Sequence, residues 1–160
     1  RVRKEFEKWA VLTYSNNRAA INTKKGADSG IDGIAYFLTT RNETERIILQ
    51  AKSGKVNRAT IATLRGDMER EKAPIGILIT LEEPTAPMRR EAASAGKYHH
   101  ILFDKDINRI QIVTIREMLE ENRRLDMPLT RPASRSAKPQ TTSEQLGLPQ
   151  EADDNDSQDE

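Results

Sequence analysis

Three polar residues with short spacings carry the chemistry that this sequence suggests. Asp32 lies in a glycine-rich segment, Gln50 follows 18 positions later, and Lys52 stands two residues beyond Gln50. A carboxylate, a side-chain carbonyl and the main-chain carbonyl of the intervening Ala51 are hard oxygen ligands of the kind that Mg²⁺ prefers. An ammonium group beside them can orient or acidify an attacking water and offset charge in the transition state. Hydrolysis of a phosphodiester needs these parts.

Two predicted strands explain how these residues can meet. Residues 34–40 and 46–52 are apolar segments joined by a polar loop, which indicates an antiparallel hairpin. Side chains alternate along a strand, so Gln50 and Lys52 share one face near the end of the second strand. Pairing of the two strands then brings the carboxylate of Asp32 close to both.

The elements around this hairpin predict an α/β fold. The first helix is expected over residues 2–14, with an apolar stripe of Val2, Phe6, Trp9, Ala10 and Thr13. Further helices are predicted at 57–72, 85–96 and 114–124, and further strands at 20–23, 75–81, 101–103 and 109–113. This order implies a sandwich, a mixed β-sheet flanked by helices, with the later strand added through a helical crossover.

Composition excludes several kinds of site. Cysteine is absent from the 160 residues, which excludes disulfides, zinc-thiolate sites and a cysteine nucleophile. No apolar run approaches the ~20 residues that span a bilayer, so we expect no membrane association and a cytoplasmic protein. The chain opens at Arg1 without an initiator Met, and we interpret it as a fragment of a longer polypeptide.

Charge divides the chain into two parts. Residues 127–160 carry a balance of −4 and few large apolar side chains, which predicts a disordered acidic tail. The predicted domain, residues 1–126, therefore carries +5, which is compatible with a polyanionic partner. Lys25, Lys55 and Arg58 flank the proposed site and are candidates for contacts with phosphates.

The motif residues resemble a known group of nucleases. Gly30-Ile31-Asp32-Gly33 followed by a strand ending in Gln50-Ala51-Lys52 is similar to the PD-(D/E)XK nuclease superfamily, and above all to its Mrr-like restriction endonuclease branch. Glutamine commonly replaces the second acid in that branch. Phe6-Glu7 resembles the Phe-Glu pair of the branch, whose glutamate often joins the metal site.

This resemblance implies a restriction-endonuclease-like sandwich that binds double-stranded DNA and uses Mg²⁺. The implied ligands are Asp32, Gln50, the Ala51 carbonyl and Glu7, and Lys52 would assist the attacking water. Many nucleases of this type cut as dimers, so a homodimer is possible. More narrowly, residues 25–96 resemble the C-terminal domain of some bacterial DNA methyltransferases that modify exocyclic amino groups, which implies a methyltransferase upstream in the parent chain.

Simpler interpretations stand beside these. Asp32 could be a turn residue, Glu7 is as readily a solvated helix glutamate as a ligand, and Trp9 is expected in the core. His99 and His100 are expected to be structural, because adjacent strand residues point to opposite faces. Three functions remain open: a Mg²⁺-dependent endonuclease, a DNA-binding module with an impaired site, and a protein-interaction domain that keeps only the fold.

Overall fold

A computed structural model of the protein describes residues 2–23 and 30–128. The predictions made for Lys25 and for residues 129–160 of the tail lie outside the described residues. The elements, in chain order, are α1 (Val2–Tyr14), β1 (Ala20–Ile21), β2 (Gly33–Leu38), β3 (Thr44–Lys52), α2 (Arg58–Glu71), β4 (Ile75–Thr80), α3 (Ala86–Ser94), β5 (Lys97–His100), β6 (Lys105–Asn108), β7 (Ile110–Thr114) and α4 (Ile115–Glu120).

The main sheet has five strands in the order β1-β2-β3-β4-β7. β1, β2 and β3 pair antiparallel, whereas β3 with β4 and β4 with β7 pair parallel. The sheet is therefore mixed, and the predicted hairpin and helical crossover are both confirmed. Parallel strands end together, so β3, β4 and β7 finish at one end of the sheet, where β2 begins. We call this end the site edge.

Helices cover both faces of the sheet because the side chains of β3 alternate between two apolar clusters. Leu49 and Ala51 belong to the cluster that contains Val11 and Tyr14 of α1. Ile48 belongs to the cluster formed by α2 and α3. The predicted α/β sandwich with a mixed sheet is therefore what the structure shows.

Capping residues begin three of the helices as the sequence predicts. Asn57, Thr85 and Thr114 each accept a hydrogen bond from the backbone N–H three residues later, and each forms a capping box. The last helix was predicted to reach residue 124, but α4 ends at Glu120. Asn122 has a left-handed backbone with φ 54°, which a continuing α-helix does not allow.

The predicted apolar stripe of α1 is wrong in part. Val2 is 81% exposed and Trp9 is 41% exposed, so Trp9 does not lie in the core. The buried side of α1 is formed by Ala10, Val11 and Tyr14. Successive residues turn by ~100° around a helix, so Val11 and Trp9 project on different sides. The sheet covers the side that carries Val11.

The predicted strand at residues 101–103 is also wrong. The strand is β5, which ends at His100, and residues 101–104 form a turn before β6. Asp104 has φ 49°, a left-handed conformation that closes the turn. β5 and β6 form a separate two-stranded sheet. Within the described residues, no helix is long and apolar enough to cross a membrane.

Candidate functional site

Asp32 lies at an irregularity of the sheet. Its N–H donates to the carbonyl of Leu49 over 2.9 Å, although Leu49 is the register partner of Gly33. Two consecutive residues thus oppose one residue of β3, the arrangement of a β-bulge, which re-aims side chains. Oδ2 of Asp32 accepts a hydrogen bond of 2.8 Å from the N–H of Ala51. The carboxylate is therefore held at the site edge by the main chain of β3.

The surroundings of Asp32 make its carboxyl group unusually basic. Burial raises its pKa from 3.8 to about 6, with further upward contributions from the charge of Glu7 and a hydrogen bond with it. The Ala51 N–H and the charge of Lys52 act in the opposite direction. The side chains of Glu7 and Lys52 therefore both lie close enough to Asp32 to change its pKa.

Glu7 reaches Asp32 because α1, which packs mainly on β3, also lies close to Gly33 at the start of β2. A Cβ atom on Gly33 would lie 2.5 Å from Cγ1 of Val11, so only a residue without a side chain allows this approach. Glu7 precedes Val11 by four residues and therefore lies on the same face of α1, one turn nearer the site edge. Glycine at position 33 thus helps to place the glutamate.

The side chain of Gln50 reaches Gly30, two residues before Asp32 in the chain. The side chain is 3% exposed, and its Nε2 donates a 2.9 Å hydrogen bond to the carbonyl of Gly30. A Cβ atom on Gly30 would collide with this Nε2, so a larger residue there would displace the Gln50 amide. Oε1 of Gln50 is buried and has no hydrogen-bond partner among the residues that the structure describes.

A cleft of about 230 Å³ opens between the end of β3 and the start of α2, and we call it the α2 cleft. Its lining residues are Gln50, Lys52, Asn57, Ala59, Thr60 and Thr63. The sequence does not indicate this group, apart from Gln50 and Lys52. The capping signal at Asn57 placed the start of α2 correctly, but only the packing of α2 on the sheet shows that its first turns face Gln50.

The other predicted contacts with DNA are at the surface near this cleft. Lys55 is exposed, and the side chain of Arg58 is 70% exposed and lies 3.6 Å from a carboxylate oxygen of Glu91. Both side chains are therefore accessible to the phosphates of a bound DNA, and the contact itself stays a prediction.

The donor atoms of the site are oxygens, the kind of ligand that Mg²⁺ prefers. Glu7 and Asp32 supply carboxylates, and the Ala51 carbonyl and Oε1 of Gln50 are further oxygen donors. Among residues 2–23 and 30–128, however, no three His, Asp or Glu side chains are grouped so that they could hold a metal ion. Only two of the candidate ligands can carry charge.

The two histidines face opposite sides of β5, as predicted. His100 is 1% exposed and packs against Phe37 and Phe103, with ring centroids 5.5 and 4.8 Å away. The His99 ring is half exposed and contacts the carboxylates of Asp104 and Asp106.

Comparison with known proteins agrees with the fold. The model of one protein family, described as NACHT-associated inactive Restriction Endonuclease 1, matches residues 2–120. No curated protein and no solved structure matches the chain. The matched segment contains every element of the fold and all residues of the site edge. The chain belongs to the NACHT-associated inactive Restriction Endonuclease 1 family, a group of restriction-endonuclease-like domains.

Proposed function

We propose that this restriction-endonuclease-like domain binds DNA at the site edge without cleaving it. The observation that carries the proposal is the state of Gln50. A neutral amide stands where the superfamily pattern places an acid, and its NH₂ group is engaged with Gly30. Among residues 2–23 and 30–128, the carboxylates that the site offers are therefore those of Glu7 and Asp32.

Electrostatics argues against tight binding of a metal ion. Lys52 contributes a positive charge beside Asp32, which partly offsets the two carboxylates. Protons compete with a metal for Asp32, because the pKa of that group is raised to about 6. Mg²⁺ loses its hydration water reluctantly and needs strong ligands in compensation. We expect weak occupancy at millimolar Mg²⁺.

Binding of DNA requires positively charged groups, whereas cleavage also requires a bound metal ion in this kind of site. Lys52, Lys55 and Arg58 lie at or beside the start of α2, where main-chain N–H groups also favour anions. These groups suit the backbone of double-stranded DNA and carry no base specificity. The word "inactive" in the description of the family agrees with this proposal.

Magnesium-dependent endonuclease activity is the second candidate, and the grouping of Glu7, Asp32 and Lys52 favours it. In that case Glu7, Asp32, the Ala51 carbonyl and Oε1 of Gln50 would hold Mg²⁺, which supplies Lewis acidity. Lys52 would orient the attacking water and offset charge on the phosphate.

The affiliation to the Mrr-like branch, the homodimer and the attached methyltransferase stay predictions. The description of the family names a NACHT association instead of a methyltransferase. The sequence of the parent gene distinguishes between these two companions.

Plasmid nicking and duplex binding, measured together, separate the candidate functions. We expect salt-sensitive binding of a fluorescent duplex and no nicking in Mg²⁺ by the wild-type protein. Nicking that Asp32→Ala and Lys52→Ala both abolish would replace the proposal with the endonuclease. Absence of both binding and nicking would favour the protein-interaction domain.

A further inference from the structure

The turn between β5 and β6 exposes three consecutive apolar side chains, and we call these three residues the apolar turn. Ile101, Leu102 and Phe103 are 68%, 48% and 54% exposed. The other large apolar side chains that are exposed among the described residues stand singly in the sequence. Contiguous apolar surface marks sites of interaction, whereas single exposed apolar residues are ordinary.

Two contacts maintain the shape of the apolar turn. The N–H of Asp104 donates to the carbonyl of Ile101 over 3.4 Å and closes the turn. The ring of Phe103 packs on buried His100 with the ring centroids 4.8 Å apart, and His100 in turn lies against Phe37 of the main sheet. The turn therefore needs little further ordering when a partner covers it, which lowers the entropic cost of docking.

The size of this surface favours a small occupant. Three side chains exposed by about half to two-thirds present on the order of 300 Å². A stable interface between folded proteins buries ~800 Å² on each partner. The apolar turn alone is therefore too small to hold a second copy of the chain or another folded domain. It is large enough for a short segment that is tethered nearby, because a tether supplies an effective concentration in the millimolar range.

The chain leaves the described structure beside the apolar turn. The N–H of Leu125 donates to the carbonyl of Tyr14 over 2.9 Å. Oδ2 of Asp126 lies 3.8 Å from Nζ of Lys105, the first residue of β6. Met127 is 9% exposed, so the chain is held to the domain up to this residue. The segment that follows residue 128 therefore begins close to the apolar turn.

One part of that segment has the matching chemistry. Among residues 129–160, the large apolar side chains are Leu129, Leu146 and Leu148. Leu146 and Leu148 are separated by one glycine, so a single short contact can include both. The first of them follows residue 128 by 146 − 128 = 18 positions. Since 18 residues span up to ~60 Å, these leucines can reach the apolar turn.

We propose that the segment Leu146-Gly147-Leu148 of the same chain docks on the apolar turn, with its two leucine side chains against Ile101, Leu102 and Phe103. The contact removes apolar surface from water on both sides, which is its driving force. The inference concerns the β5–β6 hairpin and does not depend on the proposed binding of DNA at the site edge.

A spin label can measure this contact, because the chain has no cysteine and one introduced cysteine takes the label at one position. The label is attached to Ser143→Cys, three residues before Leu146, or to Ala137→Cys, which is nearer to the domain along the chain. We expect the loss of the Leu102 and Phe103 amide NMR signals to be at least about twofold greater for the label at 143 than at 137. A chain that is tethered without docking gives the reverse order, because the shorter tether keeps its label closer.

Substitutions on each side of the contact test its chemistry in the Ser143→Cys background. Leu146→Ser with Leu148→Ser should remove the signal loss, and so should Leu102→Ser when the Phe103 signal is followed. Leu119→Ser is the matched control, because Leu119 is 67% exposed on α4 and lies outside the apolar turn. It should leave the signal loss unchanged. The remaining amide signals report whether each variant keeps the fold.

The outcomes separate the possible occupants. A signal loss that is as large from position 137 as from position 143, or that persists in the leucine variants, overturns the docking of this segment. Sedimentation of the wild type and of Leu102→Ser tests a second copy of the chain as the occupant: a dimer that Leu102→Ser dissociates overturns the proposal. A monomer whose signal loss requires Leu146, Leu148 and Leu102 supports it. Failure here leaves DNA binding untouched, since the titration of a duplex does not use the apolar turn.

Discussion

At the scale of single residues, the site combines a carboxylate that is hard to ionise with an amide that is already engaged. Asp32 has a pKa near 6 because it is buried beside Glu7. Gln50 holds Gly30 through its NH₂ group. An acid at position 50 would repel the Gly30 carbonyl and would add a third charge to this group. The residue to which we attribute weak metal binding in the proposed function is thus also the one that holds the chain leading to Asp32.

The variant Gln50→Glu tests this double role. Without metal we expect a loss of about 1–3 kcal/mol in the free energy of unfolding, because the donor to Gly30 is lost inside a buried site. Added Mg²⁺ should restore part of that loss, since the third carboxylate strengthens the metal site. Thermal unfolding with Mg²⁺ and with EDTA measures both effects.

Gln111→Glu is the control for this substitution. Gln111 also donates from Nε2 to a main-chain carbonyl, that of Asn108 over 3.1 Å, but this contact is exposed. Its change should stay within about 0.5 kcal/mol. A Gln50→Glu protein as stable as the wild type, with no response to Mg²⁺, would contradict the structural role of the amide.

Asp32→Asn should stabilise the protein at alkaline pH. The pKa of Asp32 is raised to about 6 in the folded protein from 3.8, so ionisation lowers stability as the pH rises from about 4 to 6. Asparagine keeps an acceptor for Ala51 and removes the charge. Urea unfolding should show a gain on the order of 1 kcal/mol at pH 8 after allowance for partial solvent screening. No gain is expected at pH 4; a gain of equal size at both pH values would show that ionisation is not its cause.

The sequence predicts much of this site but not its hydrogen bonds. Alternation on β3 and the antiparallel hairpin place Asp32, Gln50 and Lys52 at one edge. The bond from Gln50 to Gly30 joins residues 20 positions apart, and it depends on how the chain bends at the bulge before β2. No local sequence pattern indicates that bend. The hydrogen bond from Gln50 to Gly30 could therefore not be predicted from the sequence.

At the scale of elements, the packing of α1 on β3 and its close approach to Gly33 of β2 place Glu7. This contact needs a glycine, since a Cβ atom at position 33 would lie 2.5 Å from Val11. If α1 moved away from Gly33, the distance between Glu7 and Asp32 would increase. Capping residues predict where helices begin, because the cap is a local interaction. The buried side of α1 was mispredicted because Val2 and Trp9 are apolar and yet lie beyond the area that the sheet covers.

Gly33→Ala tests the fit of α1 on β2. We expect a loss of about 1–3 kcal/mol in the free energy of unfolding, which Val11→Ala in the same chain should partly relieve by making space. Denaturation with urea measures each variant. Gly66→Ala is the control, because Gly66 lies in α2 with nothing within 4 Å of the added Cβ. That change should stabilise the protein by up to ~1 kcal/mol. Equal effects of the two substitutions would contradict the close approach at Gly33.

At the scale of the whole molecule, the mixed sheet gathers the polar chemistry at one end. Lys52, Thr80 and Thr114 are register partners at the ends of their strands. Lys97 of β5 lies near the opposite end of the sheet. The preceding residue, Gly96, accepts a hydrogen bond from the N–H of Arg109, and the carbonyl of Arg109 accepts one from Gly76, near the start of β4. The alternation of helices and strands was sufficient to predict this architecture, because parallel strands require crossovers.

Basic residues at the two ends should therefore differ in their effect on DNA binding. Lys55→Ala, at the site edge, should weaken binding of a duplex and lower the slope of log K against log salt by ~1. Lys97→Ala removes the same charge at the opposite end and should change neither quantity. Equal losses from both variants would show that net charge, and not the site edge, governs binding.

The most direct test of the central claim is a titration of a labelled duplex in millimolar Mg²⁺, followed by fluorescence anisotropy, with the same samples then separated on a denaturing gel. Binding that weakens with salt, together with an intact duplex at every protein concentration, is the result we predict. Fragments that appear in the wild-type samples and are absent from those of Lys52→Ala and Asp32→Ala would show that the site edge cleaves the DNA that it binds, and would contradict the account.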